Sequence, residues 1–486
     1  MSFVQFLSAQ SDLAHLEIIG TSKEGRDIPL VVMASPGIST PEQAQTSGKP
    51  VIYIQANIHG GEVEGKEASM ILMREMAFGK KRYLLENQIL IFCPIFNADG
   101  NDALSPNNRS NQDGSPIEAG ERYSGEGYDL NRDGLKLESI EGIAMTENII
   151  LRWDPLMFVD LHTTNGTWHG YSLTYAPGLN TAGHPGTTRY LMEELFPEVT
   201  EKVRERSGLD TYLYGNFSEF PPRTYNGMIP QPRYITNALA LRNMLTILIE
   251  TFAHDRFERR ILSNTAWLTS LFEFTNDNAQ GVKSMIDGFK NEVVQEITNS
   301  GGQAVRGVKF QRAQLGPRSD LLVYETETNI DQFGIERDRR TGRRYWVSGV
   351  KKMLSVEVLK EAKVPLAYVF PAELSNVADK LRQHGIPVEE LGSSRSFSGE
   401  EFTVTNFNQA SNIYQGHRLT TISGSFNSAQ KSFPAGSFYV DLHNPLAYLT
   451  FYLLEPEADD GLTVWNYFDD YLIGPVSYTH LRAHET

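Results

Sequence analysis

A single cysteine, Cys93, occurs in 486 residues, which excludes an internal disulfide framework and any thiolate-rich metal cage. Cys93 lies in the apolar run ILIFCPIF, with no basic neighbour to lower its pKa, and reads as a small core residue. Positive charge is in deficit. Against 60 Asp and Glu stand 44 Lys and Arg, a net charge of -16, which repels a phosphate backbone and predicts no general nucleic-acid binding. No stretch approaches the roughly 20 apolar residues that a membrane-spanning helix needs. The opening MSFVQFLSAQSDLAHL has neither a basic n-region nor a long apolar h-region, so no export signal is read in it. What is present is the composition of a folded, soluble protein: 40% hydrophobic and 21% charged, with aromatic residues spread along the length. Any metal must therefore be held by His and carboxylate.

A length of 486 residues exceeds what one hydrophobic core organises, because cores stop growing beyond roughly 250 to 300 residues. The first half alternates strand and helix signals. HLEIIG, IPLVVMA, VIYIQANI, QILIFCPIF, LMFVDLH and MLTILIETF read as strands; EASMILMREMAF, ENIILRWD and residues 186–206 read as helices. Apolar strands separated by helices predict an α/β fold, a mixed and largely parallel twisted sheet covered on both faces. Residues 256–297 are helical in pattern, SGGQ breaks them, and the text beyond is β-rich, with one helix in LSNVADKLRQHG. The expected division is an α/β domain over 1–299 and a smaller β-rich domain of unread role over 300–474. Within the latter, VPLAYVFPAEL and AGSFYVDLHNPLAYLTFYLLEPEADDGL read as packed core and turns. The tail 475–486, with His480 and His484, resembles translated adapter sequence and is set outside the fold and the site.

In such sheets ligands gather beyond strand ends. VIYIQANI runs into His59, LMFVDL ends on His162, and MLTILI ends on Glu250. His59 and Glu62 form an HxxE pair in NIHGGEVEG, where glycines let the backbone turn sharply enough for both side chains to meet one ion. His162 supplies the third ligand that a catalytic zinc needs while leaving a position open. Asp160, on the same strand face, is a partner that would orient a ligand. Glu64 and Glu67 offer the same chemistry as Glu62 at other spacings, and His169 in TWHGY falls close enough to be weighed as a substrate contact. The repeated DLH triplet Asp441 to His443 has no companion HxxE and reads as structural.

The order HxxE (His59, Glu62), DLNRD (Asp129 to Asp133), DLHT (Asp160 to Thr163) and ILIETF (Ile247 to Phe252) resembles the carboxypeptidase A-like zinc metallopeptidases across residues 15–260. The LRN triplet holding Arg242 resembles a bacterial branch of that family. The resemblance implies one zinc per chain held by His59, Glu62 and His162, Glu250 as general base, and a catalytic role for the first domain. It further implies Arg122 as the arginine that stabilises the tetrahedral oxyanion, with Arg109 as the fallback. Asn131 and Arg132 match the pair that binds a substrate's free C-terminal carboxylate, a task suited to a planar guanidinium. The expected partner is thus a peptide or peptide-like substrate with a free C-terminal carboxylate. The mobile tyrosine of digestive members has two candidates here, Tyr225 and Tyr234, neither at a matching spacing. Two alternatives stay open: a zinc deacylase of N-acyl amino acids, which shares HxxE and DLHT, and a non-catalytic peptide-binding protein. Relatives of this type are often exported; the sequence leaves location, oligomeric state and side-chain preference open.

Overall fold

A computed structural model describes residues 1–472 and 481–483, apart from 110, 111, 113, 114 and 331–335, and without the side chains of 329 and 336–339. The first half contains the strands β1 (Ala14–Thr21), β2 (Asp27–Met33), β3 (Val51–Ala56), β4 (Ile89–Cys93), β5 (Met157–Thr163), β6 (Leu173–Pro177), β7 (Thr211–Leu213), β8 (Thr224–Asn226) and β9 (Leu245–Thr251). All but β8 form one sheet in the order β1-β2-β4-β3-β5-β9-β6-β7. Its centre, β4-β3-β5-β9, is parallel; β1 is antiparallel to β2, β2 to β4 and β6 to β9, and β7 runs parallel to β6.

The central strands are apolar at nearly every position because both faces are covered. Ile52 and Ile54 point into one core with Leu72, Met73, Trp267, Leu268 and Leu271, from the helices Glu64–Ala77 and Phe257–Asp277. Val51 and Tyr53, one residue out of phase, point into the other with Met145, Ile149, Trp153 and Leu239. Cys93 is buried on that second face, where burial pushes its thiol up to about 12, as a core residue requires.

Beyond the helix Ala279–Ser300, which stops at Gly301 in the left-handed conformation, the chain is β-rich. It forms β10 (Ala304–Ala313), β11 (Ser319–Ile330), β12 (Glu336–Met353), β13 (Ser355–Val364), β14 (Ala367–Phe370), β15 (Glu389–Glu390), β16 (Arg395–Gln409), β17 (Thr420–Phe433), β18 (Phe438–Asp441) and β19 (Leu481–Ala483). This region shares a core with the first half: Leu135, Ala182, Leu241, Val293 and Ile297 cluster with Phe310, Tyr368, Leu449 and Tyr452. β12 also pairs with β8 at Lys351 to Met353. The segment AYLTFYLL is a helix, Ala447–Leu454, buried on every side. The sequence reading sets 475–486 outside the fold, but Leu481–Ala483 pair with β14 and β16. Leu481 and Ala483 face an apolar cluster and the alternate residue Arg482 meets Glu455, the period-two pattern of a strand. His480 and His484 lie outside the described residues. No helix among the described residues is long and apolar enough to cross a membrane.

One buried acid gives a test of this packing. Glu141 is fully buried, and neither carboxyl oxygen has a hydrogen-bond partner among the described residues. Burial, seconded by the charges of Glu126, Asp99 and Asp133, pushes its pKa up to about 7. The folded chain therefore holds this proton where the unfolded chain has released it. The group's contribution is whole below the unfolded pKa and is lost as pH rises through 7. Glu141→Gln, which stays neutral, is expected to match wild type near pH 4 and to exceed it by about 3 kcal/mol at pH 8. Denaturant midpoints at the two pH values measure the difference, and an equal gap at both would contradict this account.

Candidate metal centre and cleft

The turn after β3 is built so that two side chains three residues apart meet. Asn57 takes a left-handed φ of 62°, which asparagine tolerates better than most residues. Its side-chain amide donates to the carbonyls of Gly60 at 2.8 Å and of His59 and Glu62 at 3.3 Å. Gly60 has no room for a side chain, since a Cβ would fall 2.2 Å from the carbonyl carbon of Gly100. In this tight loop His59 Nδ1 lies 2.9 Å from Glu62 Oε1. From β5, His162 brings its Nδ1 to 3.0 Å from Glu62 Oε2. One ligand atom from each of His59, Glu62 and His162 falls within 4.8 Å of the other two, and all three residues are buried.

Behind each imidazole stands a carboxylate. His59 Nε2 is 3.2 Å from Asp129 Oδ1, and His162 Nε2 is 2.8 Å from Asp160 Oδ2. A carboxylate on Nε2 leaves Nδ1 to face the centre and fixes the ring. Asp160 is braced in turn by Gln55, whose Nε2 donates to it at 3.3 Å and whose Oε1 accepts from Tyr53 Oη at 2.7 Å. Thr163 N donates to Glu62 Oε2 at 3.1 Å. Burial alone would raise the Glu62 pKa, but His59 and Arg109 outweigh it and hold the carboxyl ionised, well below its ordinary value. Burial would lower His162, and Asp160 and Glu62 outweigh it and hold it above its ordinary value. An ionised carboxylate and two Nδ1 atoms converging within one coordination sphere, each ring backed by an acid, fit a catalytic zinc.

The other carboxylates divide cleanly. Glu64 turns away from the centre, its Oε1 2.8 Å from Arg260 Nε and its Oε2 accepting from Thr163 Oγ1 at 2.6 Å. Glu67 stands in the following helix and takes no part in the cluster. Glu250, on β9, sits directly across the parallel pair from His162. Its Oε2 is buried without a hydrogen-bond partner among the described residues, and burial pushes its pKa up to about 8. His59, Glu62, His162 and Glu250 line one cleft of about 440 Å³, with Arg109, Arg122, Asn131, Arg132, Tyr214, Met228, Tyr234, Leu248 and Arg312 in its walls.

Residues 1–136 match the family model described as zinc carboxypeptidase. Over those residues the chain is similar to the zinc carboxypeptidases. It is 24% identical over 456 residues to carboxypeptidase 2 of Trichophyton tonsurans, covering 90% of this chain and 78% of that one. The same-named protein of Trichophyton rubrum is 24% identical over 469 residues, covering 93% and 80%. Among solved structures, the metallo-carboxypeptidase from Burkholderia cenocepacia aligns over 57% of this chain and 68% of its own, at 18% identity and a TM-score of 0.43.

Family members are hydrolases of peptide bonds, and this zinc carboxypeptidase relative is a metallopeptidase whose His59, Glu62 and His162 can hold the zinc. Other residues singled out in the sequence separate in the structure. Arg122 is engaged with Asp129, its Nε and Nη2 donating to Oδ2 at 3.0 and 2.8 Å. Arg109 Nη2 instead donates to Glu62 Oε1 at 2.7 Å, inside the metal cluster. Asn131 Oδ1 accepts from Ile235 N at 3.2 Å, and Arg132 lies over the Tyr234 ring, 4.2 Å from its centroid. Of the two tyrosines, Tyr234 lines the cleft, whereas Tyr225 is fully buried with its hydroxyl on the Leu213 carbonyl at 3.1 Å. His169 is buried beside Phe252 and Tyr171, outside the cleft lining. Arg242 donates to the His384 carbonyl at 3.0 Å, also outside the cleft lining. His443 is exposed on a surface turn with Asp441. The residues that sequence reasoning passed over are Tyr214 and Arg312, which no short motif flags.

Proposed function

We propose that the chain removes C-terminal residues from peptides, with Glu250 as general base. Support comes from one convergence: the His59, Glu62 and His162 set, the unpartnered Glu250 Oε2, and Asn131 with Arg132 share a single cleft. When bound, zinc supplies Lewis-acid polarisation of the scissile carbonyl and acidifies a water. Glu250, buried and raised in pKa, is suited to accept the proton as water attacks and to return it to the leaving amine. Arg132 supplies the planar donor pair for the substrate's terminal carboxylate, and its stacking on Tyr234 fixes the plane of that fork.

The arginine facing the oxyanion is, in this reading, Arg109 rather than Arg122. Arg122 spends two donors on Asp129 and so stiffens the acid behind His59. Arg109 sits on the Glu62 carboxylate, where its guanidinium is beside any carbonyl oxygen held at the centre. The test is metal analysis together with C-terminal residue release from a mixed peptide library. One zinc per chain with stepwise release from C-termini is expected. Hydrolysis of N-acyl amino acids but of no peptide would reassign the chain to the deacylases, and zinc with no hydrolysis would reduce it to a binding protein.

A further inference from the structure

Four arginines line the cleft, and three of them are occupied. Arg109 is on Glu62, Arg122 is on Asp129, and Arg132 donates to the Asn131 carbonyl at 2.7 Å while lying over Tyr234. The fourth, Arg312, comes from outside the α/β sheet. It sits near the end of β10, paired with Val356 of β13. Among the described residues its guanidinium has no side-chain hydrogen bond or ion pair, and its Nε is buried with no acceptor at all. A buried donor left without an acceptor is unfavourable, and here it borders a cleft that a ligand enters.

The surroundings say which part of a ligand it would meet. Val356 packs at the edge of an apolar cluster of Ala176, Leu179, Met228 and Leu248, with Tyr214. Met228, Leu248 and Tyr214 are themselves cleft walls. Leu248 lies two residues before Glu250 on the same face of β9, and so below the position of the base by about two strand rises, roughly 7 Å. That recess has an apolar wall, a half-buried tyrosine and one uncompensated cation. It is shaped for a side chain whose stem is apolar and whose tip is anionic.

We propose that Arg312 is a specificity-determining residue that receives the side-chain carboxylate of a C-terminal Glu or Asp. The inference rests on the C-terminal reading above, in which Asn131 and Arg132 take the main-chain carboxylate. A substrate with two carboxylates then meets two cations on different walls. Glutamine, of the same shape as glutamate, leaves Arg312 without its anion.

The test compares kcat/KM for two N-acylated dipeptides that differ only in ending in Glu or Gln, on wild type, Arg312→Gln and Arg312→Lys. Wild type is expected to favour Glu by at least about tenfold, since a site with an unmet polar group discriminates strongly against a ligand that cannot satisfy it. Arg312→Gln should bring the Glu-to-Gln ratio to about one, chiefly through KM for the Glu substrate, and Arg312→Lys should retain part of it. A ratio unchanged in Arg312→Gln, or no preference in wild type, overturns the proposal. Calorimetry with N-acetylglutamate and N-acetylglutamine separates this claim from the reading beneath it. An Arg312-dependent preference for N-acetylglutamate without any peptide hydrolysis would keep the anion site and remove the carboxypeptidase, whereas no preference would sink the anion site.

Discussion

Glu250→Gln is expected to lower turnover by about a thousandfold, within the range that a positioned general base contributes, while zinc stays at one per chain. The substitution keeps the side chain's shape, so the packing of β9 against β5 and the register that sets Glu250 across from His162 are retained. Glu250 Oε2 has no hydrogen-bond partner among the described residues, so no structural bond of that oxygen is lost. What is lost is the ability to accept a proton. The loss should appear in kcat more than in KM, because the proton moves in the transition state and not on binding. Metal analysis and peptide release on the same sample decide the matter. Turnover within tenfold of wild type at full zinc would remove Glu250 from the chemistry, and loss of zinc would show that it supports the metal site instead.

The residues of the metal centre were legible because their chemistry is tied to local spacing. HxxE places His59 and Glu62 in one tight turn, and the apolar runs before His162 and Glu250 mark strands whose ends share one edge of the sheet. The two arginines were harder to separate. Arg109 and Arg122 sit in irregular chain, and only the fold shows that one reaches Glu62 and the other Asp129. Arg312 had no local signal at all. It belongs to a strand of ordinary β pattern more than 60 residues beyond Glu250, and its position in the cleft depends on β10 pairing with β13 and on β12 pairing with β8. The helix Ala447–Leu454 was obscured for a different reason: it is apolar on every face, so it has no 3.6-residue period to distinguish it from other buried chain.

The second large effect is expected at Glu64 and Arg260, a fully buried ion pair that touches the metal centre without joining it. Both side chains are at 0% exposure and 2.8 Å apart. Arg260 also donates to the Ala253 carbonyl at 2.7 Å and to Ser115 Oγ at 2.6 Å, and Glu64 accepts from Thr163 Oγ1. The pair thus ties four segments to the helix carrying Arg260: the helix that follows Glu62, the strand end carrying His162, the chain just after Glu250 and the loop at Ser115. Arg260→Met would leave the Glu64 carboxylate buried without its cation, a change that costs about 3 to 5 kcal/mol. The denaturant midpoint should fall accordingly. Zinc affinity should fall by about 10- to 100-fold, as when groups that orient metal ligands are removed. Glu64→Leu with Arg260→Met removes both charges and should recover much of the stability, since apolar replacement of a buried pair is often close to neutral. Zinc affinity should not recover with it, because Thr163 Oγ1, beside His162, then loses its Glu64 acceptor and keeps only the Thr251 hydroxyl. A double variant that regains stability and zinc together would mean that the pair acts on the fold alone; one that regains stability only would show that the same two residues also set the geometry of the ligands.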